Sequence, residues 1–185
     1  MHMSAEASMS DPSGLLEPLD EAVDHVRGAP GGRLILEYGD YECPYSRRAY
    51  REIQQVERQL GGRVRFAFRH FPLVEIHPHA LAASGAVEAA SLQGRFWEMH
   101  DLLFHRQKAL EDADLHRYAA ELGLDLERFE RDRVGDAAMQ RVLRDVRSAE
   151  ATGEVLGTPT LFIDGVVHRG SYEAATLFEA LTGGR

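Results

Sequence analysis

The sequence predicts an α/β domain with a mixed sheet and a large helical insertion, and three features carry that prediction. A short apolar run near residue 35 is followed by an amphipathic helix and a second apolar run, as in a strand–helix–strand unit. Near the C-terminus, Asp164-Gly165 separates two runs of period two, a strong signal for a hairpin with a two-residue turn. Between these regions lies a helical stretch far too long to be a loop.

Each element has its own local reason. Arg33 to Tyr38 is short and apolar and lies between Gly31-Gly32 and Gly39-Asp40, so it reads as a buried strand. From Pro44 the period changes. Tyr45, Ala49, Ile53, Val56 and Leu60 recur at spacings of four, four, three and four and form one helical stripe. Pro44 suits the first turn of that helix, where a missing N–H is no loss, and Gly61-Gly62 end it. Arg63 to Arg69 alternates Val64, Phe66 and Phe68 with other residues and is a second strand.

The stretch from about Pro78 to Gly153 holds helices over Ala80–Gln93, Arg95–Arg106, Asp112–Leu122, Leu126–Arg133 and Asp136–Ala151. The period then returns to two over Thr160–Ile163 and Val166–His168, and a helix over Tyr172–Leu181 closes the chain. The expected layout is a tail over 1–14, a core over 15–75 and 154–185, and an inserted helical subdomain over 76–153. The tail is expected to be disordered.

Composition narrows the function classes. With 44% hydrophobic and 28% charged residues in 185, this is an ordinary globular composition for about one domain. No run approaches the ~20 apolar residues that span a bilayer, and the N-terminus lacks the apolar core of a signal peptide. A net charge of -9 argues against binding nucleic acid or an anionic membrane. A single cysteine forbids an intramolecular disulfide and fits a reducing, cytoplasmic compartment.

That cysteine, Cys43, falls between the end of a strand and the start of a helix. Free helix N–H groups and the helix dipole stabilise an anion at such a place, so the thiol is expected to ionise more readily than a free one. Its neighbours Asp40, Tyr41, Glu42 and Ser46 are polar or amphipathic, which argues against a plain core position.

The segment Tyr38-Gly39-Asp40-Tyr41-Glu42-Cys43-Pro44-Tyr45-Ser46 resembles the active-site turn of DsbA-like thioredoxin-fold proteins. The resemblance continues through Arg69-His70-Phe71-Pro72-Leu73 and Gln93-Gly94-Arg95-Phe96-Trp97-Glu98-Met99-His100-Asp101 to Gly157-Thr158-Pro159-Thr160-Leu161-Phe162-Ile163-Asp164-Gly165. It covers the chain from about Asp24 to the C-terminus. It implies a thioredoxin fold with a helical insertion and thiol–disulfide chemistry at Cys43. It further implies that Pro159 is a cis-proline facing the cysteine and that the backbone of Thr158 lies beside it. Pro44 and Tyr45, next to the cysteine, are also expected to meet the substrate. Glu37, six residues before Cys43, matches a buried acid that relays a proton to or from the sulfur.

Ser46 departs from the family's Cys-Pro-X-Cys pattern. Its hydroxyl cannot resolve a mixed disulfide, but it can donate a hydrogen bond to the Cys43 thiolate. An external thiol must then complete the exchange, and glutathione or another small thiol is the expected co-substrate, with no tightly bound cofactor. The expected activity is a monothiol thiol–disulfide oxidoreductase or isomerase acting on protein or glutathione disulfides. Two alternatives stand beside it: a glutathione-dependent isomerase or transferase in which Ser46 holds the glutathione thiolate, and a non-catalytic thioredoxin-fold binding module. An apolar rim at Tyr41, Pro44 and Tyr45 would suit a partner or a second copy. Among the histidines, His77 and His79 flank Pro78, and His100 and His105 lie five apart. No three- or four-ligand set is visible in that spacing, so no metal is expected.

Overall fold

A computed structural model of the chain describes residues 17–183. The expected tail over 1–14 lies outside the described residues. The elements run β1 (His25–Gly28), β2 (Arg33–Gly39), α1 (Pro44–Leu60), β3 (Val64–His70), α2 (Ala80–Ser91), α3 (Phe96–His105), α4 (Asp112–Glu121), α5 (Leu126–Asp132), α6 (Asp136–Thr152), β4 (Thr160–Ile163), β5 (Val166–Val167) and α7 (Ala174–Thr182).

The strands form one five-stranded sheet in the order β1-β3-β2-β4-β5. β2 and β3 are parallel and joined through α1, as the strand–helix–strand pattern requires. β4 is antiparallel to β2 and folds back on β5 through Asp164-Gly165, both at positive φ (48° and 85°). Positive φ at both central residues is what a right-twisted two-residue hairpin demands. This is the mixed sheet and helical insertion of a DsbA-like thioredoxin fold, with α2 to α6 lying between β3 and β4.

β1 is the element the sequence did not announce. His-Val-Arg-Gly offers one apolar side chain in four residues and has no alternation to detect. It is an edge strand held by backbone pairing to β3, from His25 opposite Phe68 to Gly28 opposite Arg65. Its end needs glycine: a Cβ on Gly28, whose φ is +101°, would stand 2.6 Å from the Val64 carbonyl oxygen.

The sheet is covered on both faces, which explains why β2 and β3 read as apolar runs. On one face Ile35, Phe66, Phe68 and Leu161 pack with residues of α1, α2, α3 and α7. On the other, Leu36, Tyr38, Ala67 and Phe162 pack with Ala149 of α6 and Val155. Strand parity assigns Glu37 to the first face. Opposite Phe68 on one side and Leu161 on the other, its side chain enters the thicker apolar layer.

Candidate active site

The site is built at the C-terminal ends of β2 and β3, where the loop 40–43 carries the chain into α1. Cys43 is the N-cap of that helix, with extended backbone (φ −70°, ψ 120°) and no side-chain capping bond. Pro44 follows at the first helical position. The turn is closed by a bond from the Cys43 N–H to the Asp40 carbonyl at 3.1 Å, and the Cys43 carbonyl accepts from Arg47 N at 3.1 Å.

The sulfur faces the segment before β4. The Thr158–Pro159 bond is cis, and the Cys43 thiol donates to the Thr158 carbonyl at 3.3 Å. Sequence positions 43 and 158 thus meet at one point. Cys43 is only 3% exposed, although its polar neighbours argued against a core position. Cys43 belongs to neither apolar cluster, and its sulfur touches the Thr158 carbonyl. Thr158 also carries a buried hydroxyl with no hydrogen-bond partner among the described residues.

Ser46 has a different role from the expected one. It is fully buried, and its Oγ accepts a hydrogen bond from the Asp40 N–H at 3.3 Å. No hydrogen bond joins it to the Cys43 sulfur among the described residues. At the third helical position its side chain turns back toward loop backbone, as capping residues there do. The apolar rim changes as well. Pro44 and Tyr45 are exposed, but Tyr41 is fully buried with its hydroxyl 2.9 Å from His100 Nδ1.

Glu37 is fully buried, and neither carboxylate oxygen has a hydrogen-bond partner among the described residues. Burial in the apolar layer pushes its pKa up to about 8, with the Arg27 charge offsetting it in part. The acid is therefore held neutral over most of the physiological range.

Several residues that shape the site gave no signal in the sequence. Gln107, in the turn after α3, donates from one carboxamide nitrogen to the Tyr41 and Cys43 carbonyls, both at 2.8 Å. Asp40, fully buried, accepts from Glu42 N (2.7 Å), Leu73 N (2.9 Å) and His77 Nδ1 (2.7 Å). Glu42 accepts from the backbone N–H and Nδ1 of His79, at 2.6 and 2.8 Å. The two histidines flanking Pro78 therefore hold the acids flanking Tyr41. Their partners lie nearly forty residues away, so only folding reveals the pairing.

The chain resembles known proteins in sequence and in fold. The family model described as Thioredoxin matches residues 21–182. Among solved structures, a thioredoxin-like oxidoreductase from Silicibacter pomeroyi superposes with a TM-score of 0.76 at 27% identity, covering 93% of this chain and 95% of that one. BdbD from Bacillus subtilis superposes with a TM-score of 0.77 at 18% identity, covering 89% of this chain and 94% of its own. A curated relative from Mycolicibacterium gilvum, named Na(+)/H(+) antiporter NhaA 1, is 46% identical over 96% of this chain. The chain spans about 30% of the length of that relative. Among the described residues, no helix is long and apolar enough to cross a membrane.

Proposed function

Because the chain belongs to the thioredoxin family and has the DsbA-like form of its fold, we propose that it is a monothiol thiol–disulfide oxidoreductase or isomerase acting through Cys43. The observation that carries this reading is the meeting of the Cys43 sulfur, at a helix start, with the Thr158 carbonyl, while serine stands three residues on.

The chemistry follows from that placement. The Cys43 thiolate attacks one sulfur of a substrate disulfide; the substrate S–S bond breaks as the Cys43–S bond forms, and the departing thiolate takes up a proton. Glu37, neutral up to about pH 8, is the proton donor in this reading. An external thiolate, glutathione or another small thiol, then attacks the mixed disulfide and releases Cys43. The Thr158 backbone, Pro159, Pro44 and Tyr45 receive the incoming chain, displacing the Cys43–Thr158 contact as they do. A reducing compartment such as the cytoplasm would supply the external thiol.

Incubation with oxidised glutathione followed by intact-mass measurement tests the reading. One reversible glutathione adduct per chain is expected, absent in Cys43→Ala and retained in Ser46→Ala. An adduct-free native thiol would end the redox assignment. Tight glutathione binding that survives Cys43→Ala but not Ser46→Ala would transfer the role to Ser46. Against that outcome stands the burial of Ser46 and its engagement with Asp40.

The 46% identity to a relative named as an antiporter, of whose length the chain spans about 30%, favours a second, compatible reading: this domain works beside a membrane transporter. Sodium–proton exchange by a full-length relative in vesicles should then change when the segment matching this chain is deleted. Unchanged exchange would remove this reading and leave the thiol chemistry intact.

A further inference from the structure

A second constellation of reactive side chains lies apart from the Cys43 turn. Glu88 of α2 faces His25 on the edge strand β1 and His70 at the end of β3. Its Oε1 accepts from His25 Nε2 at 2.8 Å and from His70 Nε2 at 2.7 Å. The three ligand-capable atoms all lie within 4.8 Å of one another. His70 is fully buried, Glu88 nearly so, and His25 is partly open. The His70 Nδ1 is buried without a hydrogen-bond partner among the described residues. A cleft of about 390 Å³ reaches the cluster from outside, lined by Glu21, Asp24, His25, Glu88, Ser91 and Arg141.

We propose that His25, His70 and Glu88 form a three-ligand site for a divalent transition-metal ion of the zinc class, with the cleft supplying water to the fourth position. Two imidazoles and one carboxylate suit zinc or cobalt, whereas magnesium and calcium take oxygen donors. A tetrahedral ion roughly 2.0–2.1 Å from each donor holds its ligand atoms about 3.3 Å apart. The two Glu88 contacts therefore lengthen by about half an ångström as the ion enters. The two bridging hydrogens move aside at the same time: each imidazole turns its lone pair at Nε2 to the ion and carries its proton on Nδ1. His25 lies on an edge strand, is partly open to the cleft, and stacks on Phe96 at 3.5 Å between ring centroids. Arg141, the cation nearest the cleft, is engaged by Asp145 and Asp24. Three different elements donate the ligands, so the ion would tie the sheet edge to the first helix of the insertion.

Zinc binding by the full chain tests this, measured by competition with a chromophoric chelator, with Co²⁺ as the spectroscopic probe. Each measurement is made on the unmutated protein and repeated in Cys43→Ala, because a thiol is the other soft donor in the chain. One ion per chain is expected, with visible Co²⁺ bands typical of tetrahedral coordination and no thiolate charge-transfer band. His25→Phe, which keeps the stack on Phe96, and Glu88→Gln, which keeps a hydrogen-bond acceptor, should each lower zinc affinity by at least about tenfold, since even supporting residues around a metal are worth about 10–100-fold. His168→Ala should leave affinity unchanged. Zinc should also shift the imidazole nitrogen resonances of His25 and His70 in the unmutated protein, a readout that needs no variant to fold. Binding lost with Cys43→Ala, binding indifferent to both ligand variants, or silent imidazole resonances would each overturn the assignment.

Discussion

At the scale of single residues, the two informative positions are Glu37 and Ser46. Glu37 is an acid in an apolar layer, and its folded pKa of about 8 lies above the value of 4.5 it has outside that layer. Its protonated form is the one the fold favours. The stabilising contribution is complete below the unfolded pKa and is lost as pH rises through about 8. Glu37→Leu removes two unpartnered carboxylate oxygens and should stabilise the protein by about 1–3 kcal/mol at pH 8. The gain should shrink on going to pH 5; denaturant unfolding at the two values measures it, and a gain independent of pH would contradict the buried neutral acid. For Ser46, replacement by cysteine restores a second thiol three residues after Cys43. In Ser46→Cys the glutathione adduct should become transient, because the new thiolate attacks Cys43 Sγ and expels glutathione, leaving an intramolecular disulfide. Mass measurement after thiol blocking distinguishes the two end states, and a persistent adduct would show that position 46 cannot reach the sulfur.

At the scale of elements, the active-site loop depends on neighbours it does not resemble in sequence. Gln107 ties the turn after α3 to the carbonyls of Tyr41 and Cys43. Gln107→Leu leaves the Tyr41 carbonyl without this donor and should cost about 1–3 kcal/mol, the usual penalty for stranding a partly buried polar group. The same variant should slow adduct formation at Cys43, a separate readout of turn geometry. His77 and His79 clamp the loop from the other side through Asp40 and Glu42. Hydrogen bonding to Glu42 raises the pKa of His79, so protonation strengthens that part of the clamp. The helix α1 itself needs little help. Of its stripe, Ala49, Ile53, Val56 and Leu60 are buried whereas Tyr45, in the first turn, is exposed, and that turn carries no acid to compete with a thiolate at the N-cap.

At the scale of the whole molecule, a buried ionic cluster joins the N-terminal segment, the sheet and the insertion. Arg69, fully buried in β3, binds Asp24 through two nitrogens at 3.0 and 2.8 Å, and Arg144 of α6 reaches Asp24 at 3.1 Å. Burial alone would raise the Asp24 pKa, but the Arg69 hydrogen bonds and charge outweigh it and hold the pKa down to about 2. The stability this ionised carboxylate contributes is present above its unfolded value of 3.8 and is lost as pH falls through about 2. Asp24→Ala strands the Arg69 charge inside the protein and should cost about 3–5 kcal/mol, the usual penalty for breaking one side of a buried pair. Thermal unfolding at pH 7 measures this, and a loss under 1 kcal/mol would mean that water or another acid reaches Arg69.

Order and period were legible in the chain itself. An apolar run, a four-four-three-four stripe ended by glycines, and Asp164-Gly165 between two β runs are local signals, and local backbone preferences decide such elements. The place of Cys43 at a helix start was legible for the same reason: a lone cysteine before Pro44 needs no distant partner to mark it. What only the tertiary structure decided are the pairings across long separations. Thr158 was placed over Cys43, Ser46 was turned from the sulfur to the Asp40 N–H, Tyr41 was drawn inside, and His25, His70 and Glu88 were gathered at one point. Side chains far apart along the chain meet only when the sheet and its helices pack. A sequence that records each residue's own preference carries no separate mark of the neighbour it will find.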